Sequence, residues 1–194
     1  MSHVLRKPSK TRRLEIAEAA IQLAGQRGAS ALTAAAIAGE VGLTSGALFR
    51  HFDSIDAILS AAVERAREWV LDGFPDQDLP PLERLENLIT NRVNLLGERP
   101  GLLWLLLSDQ AAARLPEVAR KRLGELAVMT RTSLAGAIEE ARAREELRCD
   151  ISAEAQLTTL IGAVHALARR GQMTPDSLAV LGDIFKLLRP IANH

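Results

Sequence analysis

The ten residues LTSGALFRHF, Leu43 to Phe52, hold two of the chain's six aromatic residues, one of its four histidines and an arginine. That mixture suits a short helix laid against nucleic acid. Ser45, Gly46 and Ala47 are small enough for close approach to base edges, and Arg50 and His51 supply hydrogen-bond donors. Leu48 and Phe52, four residues apart, point together toward a core. Just before them Gly42 offers the positive φ that a tight turn needs, Thr44 an N-cap for a helix over 45–52, and Thr33 an N-cap for one over 34–41. Two short helices joined by Gly42, Leu43 and Thr44 make a helix-turn-helix, whose second member lies in the major groove while the first crosses the backbone. The pattern alone also fits an ordinary turn between packed helices.

Other chemistries find little support. No nucleophile is paired with a base, and there is no phosphate loop or metal-ligand spacing, so the expectation is a non-enzyme without cofactor or metal. The single cysteine, Cys149, cannot form an internal disulfide and reads as an unremarkable surface or part-buried thiol. The formal net charge is zero, but its distribution is uneven. Residues 1–55 carry seven basic side chains (Arg6, Lys7, Lys10, Arg12, Arg13, Arg27, Arg50) against four acids (Glu15, Glu18, Glu40, Asp53), a net of +3, which leaves −3 on the remainder. Five of the seven precede the first acid. Such a basic arm is an ordinary solvated tail or a phosphate-binding one.

Nearly every periodic segment reads as helix and none alternates as a half-buried strand does, so the fold class is all-α. The first helix is expected over 11–26, with Ile16, Ala19, Ala20, Leu23 and Ala24 on one face. A fourth, capped by Asp53 or Ser54, extends to about residue 71. After the loop-like GFPDQDLPP at 73–81, longer helices are expected over 81–97, 100–110, 115–146, 152–170 and 175–189. The longest apolar run, Gly101 to Leu107, is far short of a membrane span, and no apolar leader with a cleavage site is present. A cytoplasmic protein with no membrane partner is the expectation.

The run from Thr11 to Leu59 closely resembles the DNA-binding domain of the TetR family of transcriptional regulators. The resemblance rests on Ile16, Ala19, Ala20, Gly28, Thr33, Ile37, Ala38, Gly42, Leu43, Thr44, Gly46, Leu48, Phe49, His51 and Phe52. It implies a three-helix DNA-binding domain over 1–53 and a larger helical bundle over 54–194 for ligand binding and dimerisation. It also implies a double-stranded DNA operator contacted through Arg12, Arg13, Thr33, Thr44, Ser45, Gly46, Ala47, Phe49, Arg50 and His51. Three positions depart from the family pattern. Phe49 stands where Tyr is common, Ile55 where Lys is usual, and Ala34 to Ala36 where a charged residue often follows the cap. Each departure removes a source of phosphate contact, which weakens binding unless the basic arm, Arg50, the Thr hydroxyls and helix N-terminal amides compensate.

The resemblance further implies a small-molecule effector and a homodimer, hence a ligand-responsive regulator, most simply a repressor. A second reading is a family member that works mainly through a protein partner with weak DNA affinity. For the dimer the sequence offers its own support: between Gln156 and Arg169 no residue is charged. Thr159, Gly162, Ala163 and Ala166 form a small-residue face there, and Leu181 and Phe185 belong to a matching stripe on the last helix; both stripes also fit internal core. For an apolar or aromatic effector the candidate lining is Leu103, Trp104, Leu107, Gln110, Met129, Ser133 and His165, positions that plain core packing explains equally well.

Overall fold

The computed structural model describes residues 9–190, so Arg6 and Lys7 of the basic arm lie outside the described residues. The described residues are helical, with no strand among them. α1 (Ser9–Arg27) is followed by a 3-10 turn (Ala29–Ala31), α2 (Ala34–Glu40), α3 (Ser45–Leu48) and α4 (Ile55–Leu71). Then come α5 (Pro81–Glu98), α6 (Pro100–Leu107), α7 (Asp109–Arg114), α8 (Glu117–Ala143), α9 (Ala153–Ala168) and α10 (Pro175–Leu188).

Two boundaries differ from expectation for local reasons. The helix expected over 100–110 breaks at Ser108, whose extended backbone ends α6 while its side chain accepts the Gln110 N–H and starts α7. The helix expected over 45–52 is a single α-helical turn. Beyond Leu48 the backbone tightens, with Arg50 N–H donating to Ala47 and His51 N–H to Leu48, the i to i+3 spacing of a 3-10 turn.

The chain forms two compact units, each discontinuous in sequence. Among the described residues, the first comprises 9–68 with 99–124 and the second 69–98 with 125–190. In the first unit Ile16, Ile37, Leu48, Phe52, Ile58 and Val63 are buried almost completely and form the core under the short helices. α6 belongs to this unit because it packs on α1 at backbone distance. A Cβ on Gly101 would lie 1.9 Å from the Ile21 carbonyl oxygen, and one on Gly25 would lie 2.3 Å from the Gly101 nitrogen. Only glycine at both positions lets the two helices meet.

The second unit packs α5, α9 and α10 on one another. Its core includes Leu85, Ile89, Val93, Leu157, Leu160, Leu167, Leu181 and Phe185. A Cβ on Gly97 would sit 2.1 Å from the Gly171 carbonyl oxygen, so the C-terminal ends of α5 and α9 also approach through backbone. Gln156 is fully buried and fully used: its amide nitrogen donates to the Arg148 carbonyl at 2.8 Å and its oxygen accepts from Arg142 at 3.2 Å. That pair of bonds ties the turn after α8 to the start of α9.

Candidate nucleic-acid interface

The helix-turn-helix is assembled by local chemistry. Thr33 caps α2 by accepting the Ala36 N–H, and Thr44 caps α3 by accepting the Ala47 N–H, each at 3.2 Å. Each hydroxyl accepts with one lone pair and keeps its own proton, so it remains a donor for a phosphate oxygen. Between them Gly42, at φ 66°, ends α2 in a Schellman arrangement: Leu43 N–H donates to the Ala38 carbonyl at 2.8 Å and Gly42 N–H to that of Gly39 at 3.2 Å. The turn is therefore closed before any distant contact is made.

Long-range contacts then fix it to α1. The Arg13 guanidinium donates to the His51 carbonyl oxygen and lies over the Phe52 ring, 4.0 Å from its centroid. Arg12 donates to the Val41 carbonyl at 3.4 Å and pairs with Glu15 at 2.9 Å. These two arginines, expected to contact DNA, thus each already hold an end of the turn, Arg12 at its start and Arg13 just past α3. Arg13 remains exposed, with donors left over. Sequence reasoning had no signal for this role, since it depends on what α1 crosses.

The surface so built is small and largely uncharged. Thr33, Thr44, Gly46, Phe49 and Arg50 are exposed, Ser45, Ala47 and His51 part-exposed, and Leu48 and Phe52 buried beneath them. Phe49 is 44% exposed, a bare ring at the position where the family pattern commonly has a tyrosine. Arg50 and Lys10 are exposed and have no ion pair or side-chain hydrogen bond among the described residues, which leaves both free to meet phosphate or a base edge. On α2 the exposed positions are Ala35, Gly39 and Glu40, which offer no cation. At the start of α4 Ile55 is part-exposed, while Ser54 caps that helix through the Ala57 N–H at 3.1 Å.

Residues 16–62 match the family described as bacterial regulatory proteins, tetR family. The chain is also 32% identical over 146 residues to the nucleoid occlusion factor SlmA of Marinobacter nauticus, covering 73% of each chain. The chain belongs to the TetR family. Its fold is that of solved TetR-family regulators. It matches the ketosteroid transcriptional regulator KstR2 of Mycobacterium tuberculosis with a TM-score of 0.79 at 18% identity, over 93% of this chain and 96% of that one. It matches AibR, solved with isovaleryl coenzyme A and operator DNA, with a TM-score of 0.74 at 20% identity, over 92% and 98%.

As a TetR-family transcriptional regulator, the protein carries the family's helix-turn-helix with fewer phosphate-seeking side chains than the pattern supplies. The residues expected to line an effector site fall in different units. Leu103, Trp104 and Leu107 are part-buried in the first, where Gln110 is exposed and its side-chain oxygen faces Gly28. In the second unit Ser133 and His165 are part-buried and Met129 is 45% exposed. Burial, reinforced by the nearby Arg169, pushes the His165 imidazole below its usual 6.5.

Of the six residues expected at a dimer interface, Thr159, Gly162 and Ala166 are exposed on α9, whereas Ala163, Leu181 and Phe185 are buried within the protomer. On α10 the large apolar side chains turned to solvent are Leu178, Val180 and Leu187. The helical phase of α10 decides this, and sequence periodicity marks an apolar stripe without saying which side of it faces the protomer's own core. Sequence reasoning also passed over Arg92, which the structure buries in the apolar face of α5. Its signal was present: Arg92 follows Leu88 by four residues and precedes Leu96 by four, so it shares their face. Among the described residues no group of acids, histidines and cysteine is arranged to hold a metal ion, and no helix is long and apolar enough to cross a membrane.

Proposed function

We propose that this regulator is an effector-responsive repressor that binds a pseudo-palindromic operator as a homodimer in the cytoplasm. Residues 1–53 contact DNA, and 54–194 serve the effector and the dimer. The observation that carries the reading is the surface of the α3 turn. Apart from the Phe49 ring its exposed positions are small or polar, its one permanent charge has no ion pair among the described residues, and the hydroxyl of its Thr44 cap retains a proton to donate.

For the dimer, support comes from α9 and α10. Ala155, Thr159, Gly162 and Ala166 make an exposed uncharged stripe at helical spacing, beside exposed Leu178 and Val180 on the neighbouring helix. A helix face of this kind is stabilised by a second copy that buries it. Two-fold symmetry then sets the two α3 turns about 34 Å apart, one turn of DNA, and the operator must share that symmetry. The effector acts by linkage: it favours a state in which the two turns are wrongly spaced, so effector and operator weaken each other by the same factor. Leu103, Trp104 and Leu107 offer an apolar wall for it.

Selection of genomic fragments by the purified protein across a salt series tests this. A repressor enriches a few palindromic sites beside promoters, and their release by an effector completes the case; no enrichment at moderate salt removes it. The relatives described as nucleoid occlusion factors favour one alternative, a family member whose output passes through a protein partner, with weak DNA affinity from the lost contacts at Phe49 and Ile55. The absence of selective enrichment at moderate salt would favour that alternative.

A further inference from the structure

Arg92 is a buried cation with two of its three side-chain nitrogens unpaired. It lies on α5, 7% exposed, among the buried side chains Leu88, Ile89, Val93 and Leu96. Its Nη1 donates to the Val70 carbonyl at 3.0 Å, and Phe74 lies against the guanidinium face with its ring centroid 5.3 Å away. Nε and Nη2 are buried and have no hydrogen-bond partner among the described residues. No acidic side chain among the described residues pairs with it. Burial lowers its pKa to about 10, so the group still carries its charge at neutral pH.

The geometry of what is left over is specific. Nε–H and Nη2–H point the same way along one edge of the planar guanidinium, the fork that two oxygens of a carboxylate accept in parallel. A water or a carbonyl oxygen can accept from this edge but neutralises no charge. Leaving buried donors of a charged group unpaired is costly, so the site favours a ligand that supplies both oxygens and the missing negative charge. One cation matches one anion: a phosphate dianion would carry excess charge into apolar surroundings. Phe74 on the guanidinium face, and Leu88, Ile89, Val93 and Leu96 on the buried stripe of α5 that Arg92 shares, are apolar.

We propose that Arg92 anchors the effector through a carboxylate, and that the effector is a monocarboxylic acid with an apolar body. The assignment rests on the effector-responsive reading above and sharpens it from an apolar ligand to an amphiphilic one. Both free nitrogens are closed to water, so the acid enters as Phe74 and the loop over 72–80 shift away from α5. The Val70 contact need not break, because Nη1 serves it from the opposite edge.

The test uses the full chain, with straight-chain acids from butanoate to dodecanoate, their matching amides, and inorganic phosphate, read by thermal stabilisation and titration calorimetry. At least one acid is expected to bind about tenfold or more tighter than its amide, since a charge-assisted bidentate pair is replaced by a neutral one. Phosphate should not stabilise the protein comparably. R92M should erase the acid preference, costing the acid more binding than it costs the amide. R92K, which keeps the charge and a donor for Val70 and so guards against a folding failure, should lose most of the preference. Equal binding of acid and amide throughout the series, a preference that survives in R92M, or equal stabilisation by phosphate overturns the assignment. Operator release, measured separately, distinguishes the two ideas. An Arg92-dependent acid that leaves operator binding untouched keeps the site and removes the repressor mechanism. Release by a neutral compound indifferent to Arg92 does the reverse.

Discussion

Arg50 is the only permanently charged side chain that the α3 turn offers, and among the described residues it has no ion pair or side-chain hydrogen bond. Arg50→Ala should therefore weaken operator binding several-fold with an unchanged melting temperature, as fluorescence anisotropy with labelled operator would show; undiminished affinity would remove Arg50 from the interface. Ile55→Lys restores a cation at the start of α4. It should strengthen binding to any sequence and steepen the salt dependence of log K by about 0.9 for each added phosphate contact, read from titrations at several salt concentrations. His165 gives a pH prediction. Its folded-state pKa lies below 6.5, chiefly through burial and further through Arg169. As pH falls through 6.5 the unfolded chain takes up a proton before the folded protein does. The stability this histidine contributes is thus complete above that pH and is lost below it, down through the folded pKa. Urea melts between about pH 7 and pH 5 should show a smaller loss of stability on acidification in His165→Asn than in the parent.

Among the elements, α1 does most to position the interface. Its apolar face, from Ile16 to Ala24, was legible from spacing alone, and the structure buries Ile16, Ala19, Ala20, Leu23 and Ala24 there. Its other tasks were not legible. Arg13 reaches a carbonyl 38 residues away and Arg12 one 29 away, so neither partner is implied by local sequence. The crossing with α6 likewise depends on glycines 76 positions apart meeting backbone to backbone. Gly101→Ala would place a methyl carbon 1.9 Å from the Ile21 carbonyl oxygen and force the helices apart. A loss of about 3 kcal/mol or more is expected, a fall of roughly 6–12 °C in melting temperature for a chain of this size. A fall under 2 °C, by about the same scaling, would mean that α6 shifts at little cost. The α3 turn gives the opposite lesson. Thr33, Gly42 and Thr44 were recognisable in the sequence because a cap and a positive-φ turn act on neighbours three to five residues away.

At the scale of the whole molecule the question is which surfaces two copies would share. Gly162 is exposed and a Cβ there meets nothing within 4 Å, so Gly162→Glu is compatible with the protomer and raises helix propensity. If α9 is the dimer face, two buried carboxylates would oppose each other across the axis. The variant should sediment as a folded monomer and bind a full operator far more weakly, since each half-site is then engaged independently. A dimer of unchanged stability would move the interface elsewhere. The sequence by itself determined the helical class, the helix-turn-helix and the TetR resemblance, because periodicity, capping and turn chemistry are written in adjacent residues. Tertiary structure alone decided which apolar stripes face inward, so that Leu181 and Phe185 became core while Leu178 and Leu187 remained outside. It also turned two basic arm residues into braces and left Arg92 buried with two nitrogens unpaired. Each of these outcomes depends on partners far apart in the chain, and a side chain's charge has meaning for function only once its distance from other charges and from water is fixed.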